Sequence, residues 1–272
     1  MSKNLIKTGD IFRLGSHLLA CGDATDAEFV TKLKLLYIQN FSTLETNNIT
    51  LCLTDPPYGV NYVANKKSFQ PRNIQHKAII NDHQQSEREY SNFTEKWLQA
   101  IKPHLALKNS IYIFNSDKML FALREGMQKA KYYFSQLLIW VKTQAVLGRL
   151  DYLPQHELIS YGWFGKHEFR KAKDKSILIY PKPKQSKLHP TMKPVGLLRK
   201  LILNSSKLND LIYDPFGGSG STLIACEQVK RRCLMLELDP AYCQIIIKRW
   251  EKLTKLKTKK LHSLESIEKN SI

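Results

Sequence analysis

An acid, two prolines and an aromatic ring stand in a row at Asp55-Pro56-Pro57-Tyr58, following the apolar run Ile49-Thr50-Leu51-Cys52-Leu53. Such a run favours an extended strand, and two prolines end it by withholding N–H donors from the ladder. The acid therefore stands at the carboxyl edge of a strand, where open α/β sheets bind their ligands. Its carboxylate accepts a hydrogen bond from an exocyclic amino group, and the Pro56 carbonyl is a second acceptor on a backbone of fixed φ. Tyr58 offers a ring on which the base carrying that amine can stack. The set suits methylation of a nucleobase amino group. A strand ended by a proline turn contains the same four residues, so the reading depends on the rest of the chain.

A second landmark is Leu211-Ile212-Tyr213-Asp214-Pro215-Phe216-Gly217-Gly218-Ser219-Gly220-Ser221-Thr222. A short apolar strand runs into a glycine-rich turn, whose glycines permit positive φ and close backbone approach to a ligand. Ser219 to Val229 then reads as a helix that buries Leu223, Ile224 and Val229. The strand Arg232 to Leu236 leads into Glu237, close to the ~20-residue spacing at which an acid meets ribose hydroxyls in nucleotide-binding βαβ units. The glycines lack the Gly-x-Gly-x-x-Gly spacing, so this is a cofactor half-site and not a dinucleotide fingerprint.

Together the landmarks resemble the S-adenosylmethionine-dependent amino-methyltransferases of DNA, in the β-ordered group whose catalytic motif precedes the cofactor motif. The family's Asp-Pro-Phe-x-Gly-Ser-Gly-Thr-Thr matches Asp214 to Thr222, with Ser221 in place of the first threonine. His189-Pro190-Thr191-Met192-Lys193-Pro194 is similar to the segment that precedes the helix leading into the glycine turn, and Leu19-Ala20-Cys21-Gly22-Asp23 to a strand ending in Gly-Asp. Ile80-Asn81-Asp82, Ile111 to Phe114 and Ile139-Trp140-Val141-Lys142 match less specifically. The resemblance implies a Rossmann-like methyltransferase fold, with Asp55, Pro56, Pro57 and Tyr58 catalytic. It implies cofactor contacts from Asp23, Ala24, Asp55, Thr191, Lys193, Asp214, Phe216, Gly218, Ser219, Gly220, Thr222, Glu237 and Leu238. Glu237 is assigned to the ribose hydroxyls and Asp23 to the adenine amine. Asp214, Gly218 and Thr222 are assigned to the methionine end, with Thr191 and Lys193 near the cofactor carboxylate.

The chain has 272 residues, 43% hydrophobic, enough for one large core. Its net charge of +18 points to a polyanion, and double-stranded DNA is the expected partner. No secretory signal or bilayer-length apolar run is seen, which leads us to expect a cytoplasmic protein without a membrane partner. The five cysteines show no Cys-x-x-Cys pair and read as reduced core thiols, and the eight histidines lack ligand spacing, so no metal is expected.

Apolar strands alternate with helical patterns, the signature of a mostly parallel α/β sheet with helices on both faces. A helix is expected from Glu87 to Ile101, another around Met119, Leu120, Leu123 and Met127, and a strand from Phe134 to Val141. We read residues 1–272 as one methyltransferase domain: a catalytic half at 9–141, a small target-recognition insert at 142–188, a cofactor-binding half at 189–250, and a basic tail at 251–272 that extends the last helix and frays. Between Tyr62 and Ala78 a polar loop with Lys66, Lys67 and Arg72 is read as closing over a flipped nucleotide. In the insert, Arg149, Lys166, Arg170, Lys171 and Lys173 interleave with Tyr152, Trp163, Phe164 and Phe169, a composition suited to phosphate contacts and base stacking. Arg149 is a candidate guanine reader. The insert is short, so either the recognition sequence is simple or a homodimer shares the work.

The favoured activity is site-specific transfer of methyl to N6 of a flipped adenine in duplex DNA. N4 methylation of cytosine uses the same geometry, often with serine first in the tetrapeptide, and Asp55 favours adenine. A catalytically idle DNA-binding module is the reading from another class. No nuclease motif is present, so any restriction endonuclease belongs to a separate chain.

Overall fold

The computed structural model describes residues 6–41, 47–59, 83, 85–145, 151–171, 173–182 and 192–263. In chain order the strands are β1 (Asp10–Leu14), β2 (His17–Cys21), β3 (Ile49–Thr54), β4 (Leu105–Asn115), β5 (Tyr133–Val141), β6 (His156–Trp163), β7 (Lys166–His167), β8 (Ile177–Ile179), β9 (Leu211–Asp214), β10 (Arg232–Glu237) and β11 (Lys259–Ser263). The helices are α1 (Ala27–Asn40), α2 (Glu87–Ile101), α3 (Leu120–Lys129), α4 (Val195–Ser205), α5 (Ser221–Gln228) and α6 (Pro240–Thr254).

One sheet runs in the order β11-β1-β2-β10-β9-β3-β4-β6-β5-β8, with β7 paired to β4. Its centre, β2-β10-β9-β3-β4, is wholly parallel. The Rossmann-like, mostly parallel sheet is as expected. Strand parity sorts the side chains onto two faces. Leu18, Ala20, Cys52, Tyr213, Leu234 and Leu236 pack with α1, α2 and α3, while Leu19, Cys21, Leu51, Leu53, Ile212 and Met235 pack with α4, α5 and α6. Because both faces are covered, these strands are nearly continuous apolar runs.

Helix starts follow from local chemistry. Ser86 caps α2 with a capping box to Glu89, and Asp239 caps α6 ahead of Pro240. Around α5 the cap is Gly220 at φ +79°, where a Cβ would stand 3.0 Å from Ile246, so conformation and space both require glycine.

Three features differ from expectation. First, the region read as an irregular insert supplies β6, which lies inside the sheet between β4 and β5 and is antiparallel to both. Its Glu157, Ser160 and Gly162 dilute the apolar signal. Gly162 is required because a Cβ there would come within 2.0 Å of the Tyr133 carbonyl. Second, β6 starts at the catalytic edge, where Leu158 faces Asn115, and carries the chain back to the opposite edge, where Lys166 pairs with Lys108. Lys108 and Asn115 lie about 23 Å apart at ~3.3 Å per residue. Exposed Lys166, Arg170, Lys171 and Lys173 follow on that far edge. Arg170 pairs there with Glu168 at 2.5 Å, and Asp174 with Lys200 of α4 at 2.9 Å. Third, the basic tail does not simply fray. Residues 259–263 form β11 along β1, and Lys260 reaches the buried Asp10 carboxylate at 2.7 Å.

Candidate active site

The carboxyl ends of β2, β10, β9, β3 and β4 form one edge, and the expected motifs emerge from it side by side. Parallel register places Glu237 beside Cys21, Met235 beside Asp214, and Cys52 beside Tyr213. The catalytic and glycine-turn motifs are therefore neighbours, and a hydrogen bond joins them: the Thr54 hydroxyl donates to Asp214 Oδ1 at 2.8 Å.

Asp214 is buried. Besides Thr54, it accepts from the Phe216 N–H at 3.2 Å and from the Thr222 hydroxyl, all neutral donors, and burial pushes its pKa up to about 6. Glu237, at the end of β10, accepts from the Gly218 N–H at 2.6 Å and the Asp239 N–H at 2.8 Å, and burial raises it to about 7. The Gly22 N–H donates to the Glu237 carbonyl at 3.0 Å, which ties the Asp23 turn to the same corner. There the Thr25 N–H and hydroxyl both donate to Asp23 Oδ1, at 2.8 and 2.9 Å, beside buried Ala24. The Leu238 carbonyl accepts from the Cys21 thiol. The Phe216 ring packs between Phe93 and Trp97 of α2, pinning the turn. From α6, Arg249 donates to the Ser219 carbonyl and, at 3.4 Å, to the Ser221 hydroxyl. Arg249 had no signal in the sequence, since it lies in an ordinary amphipathic helix.

S-adenosylmethionine carries an ammonium, a sulfonium and a ribose diol. Asp214 and Glu237 are buried carboxylates that take no lysine or arginine partner among the described residues, so cationic and hydroxyl groups fit them.

The Asp55 corner is built differently. Tyr58 donates its hydroxyl to Asp55 Oδ1 at 2.6 Å, and Lys193, just ahead of α4, donates to Oδ2 at 2.5 Å. The same ammonium lies 3.2 Å from Glu157 Oε2, and Lys142 binds Glu157 Oε1 at 2.9 Å. Burial raises the Asp55 pKa, with Lys193 offsetting part of that rise. Glu157 feels the same burial penalty, but two ammoniums outweigh it and hold its pKa low. Lys193 is pulled down by burial and lifted further by the two carboxylates, so it stays charged. Burial and the Asp55 charge push the Tyr58 phenol well up, which keeps it a donor.

The structure thus brings together Asp23, Ala24, Asp55, Pro56, Pro57, Tyr58, Asp214, Phe216, Gly218, Ser219, Gly220, Thr222, Glu237 and Leu238 on one edge. Lys193 joins them, but its ammonium sits on Asp55 and Glu157 rather than standing free for a cofactor carboxylate. Lys166, Arg170, Lys171 and Lys173 do not join them. Thr191, Lys66, Lys67, Arg72 and Arg149 lie outside the described residues. Glu157 was missed in the sequence. Its one signal was Lys142, a charge at the end of an apolar strand that needed a partner.

Comparison with known proteins gives the family and the fold. The family model described as DNA methylase matches residues 49–248. Type II methyltransferase M.HpaI of Haemophilus parainfluenzae is 26% identical over 243 residues, covering 78% of this chain and 71% of its own length. M.HinfI of Haemophilus influenzae is 27% identical over 247 residues, covering 80% and 67%. Among solved structures, the M1.HpyAVI complex with SAM superposes with a TM-score of 0.59 at 22% identity, over 85% of this chain and 98% of that one. The cytosine-N4-specific PvuII DNA methyltransferase gives 0.59 at 14% identity, over 87% and 89%. The chain belongs to the DNA methylase family, as an N6/N4-type DNA methyltransferase whose methyl donor is S-adenosylmethionine.

Proposed function

We propose that the enzyme methylates N6 of a flipped adenine in duplex DNA, and that Asp55 with the Pro56 carbonyl receives the target amine. The observation that supports this most is the Thr54–Asp214 hydrogen bond, which sets the Asp55 corner directly against the glycine-turn corner. Bound there, the donor supplies an electrophilic methyl on a sulfonium. The amine nitrogen is conjugated with its ring and is a poor nucleophile. Two acceptors on its N–H groups draw the nitrogen toward a pyramid and free the lone pair for in-line attack, a positioning effect on a preorganised site. The proton becomes acidic only as the new C–N bond forms, and Asp55 is placed to accept it. Tyr58, anchored through its hydroxyl, presents its ring to the extruded base.

On the donor side, Glu237 takes the ribose hydroxyls, Asp23 the adenine amine, and Asp214, Gly218 and Thr222 the methionine end. Ala24, Phe216, Ser219, Gly220 and Leu238 shape that seat, and Thr191 is assigned by its motif. For DNA, Lys66, Lys67, Arg72 and Arg149 retain their proposed contacts. Lys166, Arg170, Lys171 and Lys173 are set aside, because a duplex seated over Asp55 faces the other edge.

Incubating the purified chain with S-adenosylmethionine and diverse duplex DNA, followed by nucleoside analysis, tests the reading. N6-methyladenine is the expected product. N4-methylcytosine alone moves the target to cytosine, and no methylated base returns the chain to an idle DNA-binding module.

A further inference from the structure

The Asp55 corner contains more charge than holding a carboxylate requires. Lys193 and Lys142 have side chains only 6% exposed, and both point their ammoniums at Glu157, whose other neighbour through Lys193 is Asp55. Two buried cations and two carboxylates form a neutral chain in the order Lys142, Glu157, Lys193, Asp55. The far end of that chain lies at Lys142, just after β5, and at Glu157 on β6, the strand that falls inside the segment read as an insert.

In this arrangement Asp55 is not ready for an amine. Oδ1 holds the Tyr58 hydroxyl and Oδ2 holds an ammonium, and an incoming neutral N–H competes poorly with a cation for the same oxygen. A cation beside Asp55 also opposes the positive charge that grows on the amine as the methyl arrives. Lysine has three rotatable donors on a flexible stem, and a second carboxylate oxygen already stands 3.2 Å from the same nitrogen. Moving the ammonium from Asp55 toward Glu157 therefore keeps it paired throughout.

We propose that Glu157, clamped by Lys142, is a positioning residue for methyl transfer: it takes over the Lys193 ammonium as the target amine docks, leaving Asp55 Oδ2 to the amine. The inference rests on Asp55 being the acceptor of that amine. The charged and titratable groups around Asp55 are Lys193 ahead of α4, Glu157 on β6, Lys142 after β5, Tyr58 in its own loop, Asp214 at the end of β9, and Tyr90 of α2 beyond Tyr58.

The test is the pH dependence of methyl transfer to DNA by the full chain. Glu157→Gln removes a negative charge and leaves Lys193 wholly on Asp55. Its kcat should fall about tenfold to a hundredfold with little change in KM for S-adenosylmethionine. The acid limb of its profile should move about one pH unit lower, because Asp55 then ionises more easily. Lys142→Met removes a positive charge and should move the same limb higher, which also serves if Glu157→Gln folds poorly. A rate loss in either variant with an unmoved limb would reduce Glu157 to structural support and overturn the proposal. Asp55→Asn is run alongside. If it is inactive while Glu157→Gln matches the parent in rate and profile, this inference alone falls, and if it retains turnover, the assignment of Asp55 falls and carries this inference with it.

Discussion

Asp55 and Glu237 are carboxylates on the same sheet edge, separated only by β9, yet their surroundings differ. Glu237 is held by two backbone N–H groups, while Asp55 is held by a tyrosine hydroxyl and a lysine ammonium. Amides are fixed by the fold and cannot leave, so Glu237 is a rigid acceptor whose charge remains costly, as its pKa near 7 records. An ammonium on a flexible stem can move, so Asp55 is an acceptor whose partner can be exchanged for a substrate. On our account the first corner binds and the second reacts.

Breaking the reacting corner should have the largest effect. Asp55→Ala is expected to lower the initial rate of DNA methylation by about a thousandfold, since it removes an acceptor from a preorganised, water-poor site. Next comes the binding corner. Glu237→Ala loses charge-assisted bonds worth roughly 1.5–3 kcal/mol and should weaken S-adenosylmethionine by about tenfold to a hundredfold, read by equilibrium binding.

A smaller effect concerns pH. A carboxyl whose folded pKa exceeds its unfolded value binds more protons when folded, so it costs stability as pH rises between the two values. For Glu237 that window runs from about 4.5, its ordinary value, to about 7, and Asp214 adds a similar contribution up to about 6. Thermal unfolding of the donor-free protein should show this loss from pH 5 to 7.5, and Glu237→Gln should flatten it. Saturating donor should also reduce the loss by pairing the ionised form.

The smallest effect is expected at the opposite edge. If Lys166, Arg170, Lys171 and Lys173 are neutralised together, the slope of log DNA affinity against log salt should change by less than the ~0.9 that one phosphate contact contributes. A change of several contacts would bring the far edge into the DNA interface.

The parallel core was legible because buried strands such as Leu51-Cys52-Leu53 and Cys233-Leu234-Met235-Leu236 are continuous apolar runs, and because Asp55, Asp214 and Glu237 each stop one. Strand β6 was not, since a strand reading Glu157-Leu158-Ile159-Ser160-Tyr161-Gly162 is no continuous apolar run and owes its place to being paired on both sides, by β4 and β5. Two assignments turn on it. Only the resemblance puts Lys193 near a cofactor carboxylate, and nothing local in the sequence shows that Glu157 comes to its ammonium. The basic residues after Trp163 read as phosphate contacts by composition and position, and only the run of the chain along β6 carries them to the far edge. The edge strand β11 was hidden in the same way, as a lysine-rich tail whose pairing with β1 is set by the fold.

The separation of the two corners is tested most directly by calorimetric titration of S-adenosylmethionine into Asp55→Ala and Glu237→Ala side by side. Donor affinity close to that of the parent is expected for Asp55→Ala, with a clear loss for Glu237→Ala. Equal losses in the two variants would contradict the account, because Asp55 would then belong to the donor's seat.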